Sequence, residues 1–457
     1  MLRPPPTQGP FGRDFEAYYA AGATWDAGGD PWSRDVWRVE RTVPGVDASR
    51  DELLPYAGPA ALLPLLGALA RLPFDGAVAL WTLLLTIAVA ALAAAALALA
   101  GVPVGAALLP AVALALMSGP GTSDIALGQA AALSAAGVAL MLLACERGMT
   151  LRATLGAAAA TLLAGAQPNL ALPLIARLRD PRALAAATGG GIAFLALTLA
   201  AGGGFTGFAH YVALLAAHGG AERFDAIQYT ATAIAFGFGA PPDTALAIAA
   251  GCACVAIAGV AAAIVALRLD ARDGTFAGIA ALPFAVPFFH EHDFVVLALP
   301  LLVLAVSARG AARAWAGAAA PLAFVDWFGL AQRPLAQPQI LVAGLAVAAL
   351  FVALRARRPG PSDATPFAVL ALIALLAVPA ARHAPAPVWP DALPPHYSVP
   401  ARASASEVWH AEQHAAGLDR RVAEWASLRT LPLLGCGCLF IAICLNGRRT
   451  LHTTPAA

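Results

Sequence analysis

From residue 75 onward the chain alternates long apolar runs with short polar joints. A helix needs about 20 apolar residues to cross a bilayer. Runs at 75–100, 103–118, 124–145, 183–202, 243–267, 310–330, 335–354, 365–380 and 429–446 reach or approach that length. Two further runs are interrupted, 152–176 by residues 167–169 and 274–308 by residues 289–293. Each reads as two short half-crossing helices that enter and leave on one side. Polar backbone at membrane depth is tolerated only where it is buried in protein or lines a cavity. The expected fold is therefore an all-α integral membrane protein, a polytopic helical bundle with two broken hairpins. It divides into a polar first segment (1–55), a multi-helix core (56–380), a second polar segment (381–428), and a last spanning helix with its tail (429–457).

Composition sharpens this picture. The chain of 457 residues is 60% hydrophobic and 12% charged, against about 25% charged in soluble domains. The net charge of +1 gives no reason to expect nucleic acid as a partner. All basic residues are Arg. They cluster in short joints, at Arg147 and Arg152, at Arg177, Arg179 and Arg182, at Arg268 and Arg272, at Arg309 and Arg313, at Arg355, Arg357 and Arg358, and at Arg448 and Arg449. With the interrupted runs treated as hairpins, every cluster falls on one face, which the positive-inside rule makes cytoplasmic. Residues 1–55, a loop near 203–240, and 381–428 then lie on the extracytoplasmic face of the cell membrane. Within 381–428 an amphipathic surface helix is expected, with Trp389, Trp409 and Trp425 as interface anchors. The polar first segment carries six arginines and no apolar leader. Its translocation leads us to expect an upstream helix not included in this sequence. Of the cysteines, Cys145, Cys252, Cys254 and Cys444 read as small hydrophobes, and Cys436 and Cys438 as helix-packing residues.

The polar segments carry the chemistry. The first contains "RDFEAYYAAGATWDAGGDPW", from Arg13 to Trp32. If 14–22 is helical, Asp14, Tyr18 and Gly22 share a face. The bland alternative for Asp14 is a helix N-cap; Asp30, between Gly29 and Pro31, reads as a turn-former. Further on come "LLPYAGPAALLPLLGALARLPF", "IALGQAAALSAAGVALMLLACERG", "AGAQPNLALPLIARLRDPRAL" and "VPFFHEHDFVVLALPLLVLA". In this order the motifs resemble glycosyltransferase family 87, of the GT-C superfold. The likeness rests on Asp14, Tyr18, Tyr19, Ala21, Gly22, Gly28 or Gly29, Asp30 and Pro31, on Pro55, Tyr56 and Pro59, on Gly128 and Gln129, and on the His-Asp pair at 292–293. It covers roughly residues 12–310. Trp32 stands where the family usually has Tyr, and Gln167 where it usually has Lys, which weakens phosphate binding at that position.

The resemblance implies a GT-C-type bundle that moves a hexose, mannose foremost, from a polyprenyl-phosphate donor to a lipid or glycan acceptor on the extracytoplasmic side. Transfer with inversion needs a carboxylate to take the acceptor proton. It also needs donors or positive charge on the departing phosphate. Asp14 is the expected general base, with His292 and Asp293 completing the catalytic set. Tyr18, Tyr19, Gln129, Arg223 and His290 are the expected substrate contacts. No cofactor is called for. The site is read without a metal, because the i, i+2 spacing of His290 and His292 diverges on a helix, although His and acids are ligand types and a loop would bring them together. A polar tip wetted by solvent is the bland alternative for 290–293, and a surface charge for Arg223. Two other functions stand beside transfer: a flippase or transporter of a lipid-linked sugar, for which the two broken segments speak, and a non-catalytic membrane scaffold.

Overall fold

The computed structural model describes residues 12–43, 54–146, 150–332, 337–353, 360–383 and 403–453. Among the described residues the protein is all-α, with no strand. Five helices are long and apolar enough to cross a membrane: Phe74–Leu99, Pro181–Ala201, Pro242–Ala266, Pro361–His383 and Ala423–Gly447. This is a multi-pass membrane protein. The lipid-facing character is plainest in Pro242–Ala266, where only 6% of the most apolar window is buried and Val255, Ile257 and Val265 point outward.

The interruptions at 167–169 and 289–293 are real breaks. The helix Leu151–Ala164 stops before Gln167, and the chain continues as Pro168–Ala171 and the 3-10 turns Leu172–Arg179. Likewise Ala271–Ala285 ends ahead of an extended joint, and the 3-10 helix Glu291–Leu297 leads into Ala298–Ser307. Other breaks were not expected. The 103–118 and 124–145 runs are redivided into Val104–Met117, Gly119–Leu127 and Ala131–Glu146, the first two bent by 72°. Extended backbone at Ser118 and Pro120 in the next turn make that bend, and Ser118 Oγ accepts the Gly121 N–H at 3.2 Å. The second cut falls at Gly128, whose φ of +80° ends the helix. Similarly, the run at 310–330 stops at Phe324 and restarts at Trp327. The expected loop at 203–240 is a correction as well: it holds the 18-residue helix Gly204–Ala221 and the short helix Ala231–Gly237. Thr206, His210 and His218 interrupt its apolar residues, so its sequence lacked the unbroken run that marks a span.

Within the second polar segment, Ala405–Ala416 is the expected amphipathic helix, closed by a Ser404–Glu407 capping box. Its tryptophan does not serve as an interface anchor. Trp409 and Trp425 are buried, and their indole N–H groups donate to Glu222 Oε1 at 2.6 Å and to the Ala226 carbonyl at 2.8 Å. Trp389, Arg147, Arg355, Arg357 and Arg358 lie outside the described residues, as do the side chains of Arg448 and Arg449.

The described part of the first segment opens with the helix Arg13–Asp26, laid against Leu63–Ala70. Gly22 is where they touch: a Cβ there would collide with the backbone of Leu66 and Gly67. Trp25 ties the helix to the end of Pro181–Ala201 through a 2.6 Å bond to the Ala201 carbonyl. Gly22→Ala must push two backbones apart, and overpacking of this kind costs about 1–3 kcal/mol. Its expected outcome is a lower Tm in detergent, measured by tryptophan fluorescence, whereas Gly28→Ala, where a Cβ meets nothing, suffers only the strain of its φ of +78°.

Two helices span the distance between opposite ends of the bundle. Ala131–Glu146 starts beside Gln129 and ends at Glu146, which pairs with Arg272 at 3.7 Å. Ala271–Ala285 runs from Arg272 back towards His290. At 1.5 Å per residue these helices are about 22–24 Å long. The arginine-rich end, with Arg177 close enough to act on Glu146 and Cys145, is thus separated from the polar cluster around His290.

Candidate functional site

The cluster is assembled from segments far apart in the chain. Arg13–Asp26 begins after Gly12, whose left-handed backbone starts the helix without a side-chain cap. Asp14 is therefore inside the helix and is not its N-cap. Its carboxylate accepts a 2.5 Å hydrogen bond from Gln129 Nε2. Tyr18, one turn along, donates its hydroxyl to Gln129 Oε1 at 2.9 Å. The shared face of Asp14 and Tyr18 thus meets a single amide, delivered by the left-handed turn at Gly128. A Cβ at Gly128 would press on Phe15, and the Gly128 carbonyl accepts the Trp81 indole N–H at 2.8 Å. The Tyr18 ring is held edge-on by Tyr56 and Trp81.

Tyr19 faces elsewhere. Its hydroxyl donates to the Leu72 carbonyl at 2.9 Å and its ring packs on Phe74, so it anchors the following helix and does not join the cluster. Asp30 makes the expected turn, accepting the Trp32 N–H at 2.9 Å. Arg223 is half-buried, and among the described residues it forms no ion pair.

At the second break, His290 is in extended conformation and starts the 3-10 helix. Asp293 Oδ2 accepts the His290 N–H at 2.8 Å, and Asp293 Oδ1 accepts from Gln167 Nε2 of the other break. The two interruptions therefore meet. His292 Nε2 lies 3.6 Å from Asp293 Oδ1, and the rings of His290 and His292 stack with centroids 5.2 Å apart. Divergence of the i, i+2 pair, expected on a regular helix, does not occur, because the extended residue turns His290 back over His292. His290, His292 and Asp293 bring one ligand atom each to within 4.8 Å of one another, a group able to hold a metal ion. His292 and Asp293 are 4% and 0% exposed, which excludes a solvent-wetted tip.

Sequence reasoning missed the centre of the other half. Glu222 ends Gly204–Ala221 and accepts from Trp409 Nε1 at 2.6 Å and Gln228 Nε2 at 2.9 Å. His218 and His290 lie 3.5 and 3.3 Å from its oxygens. Gln228 Oε1 accepts the Phe289 N–H at 2.9 Å, so its NH2 faces Glu222 Oε2 beside the His290 Nε2–H. Gln228 Nε2 also lies 3.2 Å from His290 Nε2, so Glu222, Gln228 and His290 meet at one point. The signal in the sequence is the i, i+4 pair His218/Glu222, next to Arg223. Asp124, fully buried in the bent run, caps the restart at Ala132 with a 3.4 Å bond. Arg429, at the top of the last helix, donates to the carbonyls of Asp225, Gln228 and Ala233 and fixes the loop that carries Gln228.

None of the carboxylates and imidazoles around His290 sits on one of the five long spans. Burial raises the Asp14 pKa, against the Gln129 hydrogen bond and the charges of Arg13 and His290. Burial likewise pushes Asp293 up to about 6. Glu222 is held down at about 2: burial works against its charge, but His218, His290 and the Trp409 N–H overcome it. Burial and the neighbouring His290 keep His292 neutral, well below its ordinary value. A buried acid, two more carboxylates and three imidazoles in one place suit proton transfer, metal binding and recognition of polar ligands. No protein-family model, curated protein or solved structure matches the chain.

Proposed function

We propose that this membrane protein is a glycosyltransferase of GT-C type that moves a hexose, mannose first among the candidates, from a polyprenyl-phosphate donor to a lipid or glycan acceptor. Transfer proceeds with inversion on the extracytoplasmic face. The observation that carries this reading is the meeting of Asp14 and Gln129 in one hydrogen-bonded unit, next to a cluster in which His290 acts electrostatically on Asp14. These residues lie in separate motifs of the family resemblance, and neither composition nor helix length requires them to meet.

In this reading Asp14 takes the proton of the acceptor hydroxyl, and its raised pKa makes it a better base. Tyr18 and Gln129 hold it in place. His292, neutral, donates an N–H hydrogen bond to the departing phosphate oxygen, and Asp293 orients the joint through the His290 N–H. In this reading Arg223, without an ion pair among the described residues, meets an anionic headgroup. Tyr19, with its hydroxyl engaged by the Leu72 carbonyl, makes no hydrogen bond to substrate in this reading. The extracytoplasmic assignment is supported by the separation of the cluster from the arginine-rich end by about 22–24 Å of helix.

The second reading, a flippase of a lipid-linked sugar, draws on the contact between the two broken segments through Gln167 and Asp293. Transporters place such contacts near the bilayer midplane; here they lie at one end of Ala131–Glu146 and Ala271–Ala285.

Purified protein incubated with radiolabelled polyprenyl-phosphate mannose, glucose or galactose and a membrane-lipid acceptor is expected to give a labelled glycolipid with one donor. Absence of product with every donor, together with movement of intact lipid-linked sugar across reconstituted vesicles, would replace transfer by flipping.

A further inference from the structure

Three carboxylates, Asp14, Glu222 and Asp293, converge with the imidazoles of His218, His290 and His292. Carboxylates and imidazoles gathered in one place are the ligand types of a transition-metal ion. Two features of the join between the chain breaks bear on this. First, His290, His292 and Asp293 offer one ligand atom each within 4.8 Å of one another, and the His292–Asp293 pair is already at 3.6 Å. The edge of a zinc tetrahedron with bonds near 2.0–2.1 Å is about 3.3 Å, so the widest pair closes by no more than roughly 1.5 Å on binding. Second, Gln167 donates to Asp293 Oδ1 while its own Oε1 is buried with no hydrogen-bond partner. A buried acceptor without a hydrogen-bond partner, on the side chain that donates to Asp293, leaves a place there for a donor or a cation.

We infer that His290, His292 and Asp293 form a binding site for one divalent first-row transition-metal ion, Zn2+ or an ion of similar chemistry, with Gln167 Oε1 directed at the ion or its bound water. Two imidazoles favour such ions over Mg2+ and Ca2+, which prefer all-oxygen shells. Glu222 Oε2 lies 3.3 Å from His290 Nε2, so an ion bound at Nδ1 would find the other ring nitrogen donating to a carboxylate. That is the carboxylate–histidine–metal arrangement that fixes the ring and raises its basicity. Three protein ligands leave at least one position open. The site stands independently of the proposed transfer. If that transfer also holds, the open position is where a phosphate oxygen would bind.

The test uses the full chain in detergent, purified through a tag without histidines, stripped with EDTA and titrated with Zn2+ in a competing chelator. Metal content is read by mass spectrometry. Wild type is expected to retain about one equivalent; His292→Ala, His292→Gln and Asp293→Asn are expected to lose it or weaken it by the 10–100-fold or more that ligand-shell changes cost. His414→Ala, a surface histidine paired with Asp419, should bind as wild type. The Co2+-loaded wild type should show visible d–d absorption that the variants lack. Failure of the wild type to retain zinc, or retention unchanged in both His292→Gln and Asp293→Asn, overturns the site. Neither outcome touches the donor assay, so failure of the metal site and failure of the transferase reading are told apart.

Discussion

Asp14→Asn is expected to fold, to keep its contact with Gln129, and to transfer sugar about 10²–10⁴-fold more slowly than wild type, the usual cost of removing a positioned base. Asparagine has the shape of aspartate, and its Oδ1 still accepts the Gln129 N–H, so the amide stays in register with Tyr18. It cannot take a proton. Linkage supports intact folding. Burial raises the Asp14 pKa above that of the unfolded chain, so its contribution to stability is fully present below the unfolded value and is lost as pH rises through the folded one. At neutral pH the neutral amide therefore removes the cost of a buried charge. The same shift sets the acid limb of activity: the wild-type rate should fall as pH drops through the raised Asp14 pKa, above the ordinary carboxylate range. The residual rate of Asp14→Asn should not follow that limb. Purified variants assayed across pH, with Tm recorded for each, decide the matter. Near-wild-type transfer by Asp14→Asn removes it as the base.

His292→Ala and Asp293→Asn should each lower transfer by about 10²–10³-fold, the loss typical of one donor or anchor at a developing charge. His292 is buried and neutral, so what disappears is an N–H donor held in place. Asp293 accepts from the His290 N–H through one oxygen and from Gln167 through the other. An asparagine keeps one acceptor oxygen for the His290 N–H, and its NH2 holds Gln167 only if that amide turns over to present Oε1. Gln167→Ala separates the effects, because it cuts the link between the breaks and leaves both His292 and the Asp293 carboxylate. It should cost less than either. If His292→Ala and Asp293→Asn expressed normally and turned over at the wild-type rate, the cluster would have a purely structural role.

Much of the architecture is legible in local sequence, because lipid imposes a local rule. A spanning segment must satisfy its own backbone hydrogen bonds and show apolar side chains, so Phe74–Leu99, Pro181–Ala201 and Pro242–Ala266 announce themselves in composition. The polar interruptions at 167–169 and 289–293 are legible for the same reason. Asp14 and Tyr18 on one face follow from helical spacing alone, and Gly22 as a contact point follows from having no side chain. What local sequence does not carry is which partners these residues meet. Gln129 sits on Asp14 because a left-handed glycine ends one helix and a bend at Ser118 aims it. Both are turns within an apolar run, and hydropathy does not register them. Glu222 became the hub of the second half only when Trp409, Gln228 and His290 folded onto it from up to 187 residues away. The sequence around Glu222 pointed equally well to a surface loop. His290 and His292 diverge on any regular helix, and it is one residue of extended backbone that stacks them. Hydrophobicity acts on each segment separately and so determines the elements. Hydrogen bonds between buried polar groups act between segments, and only the packed bundle decides which of them form.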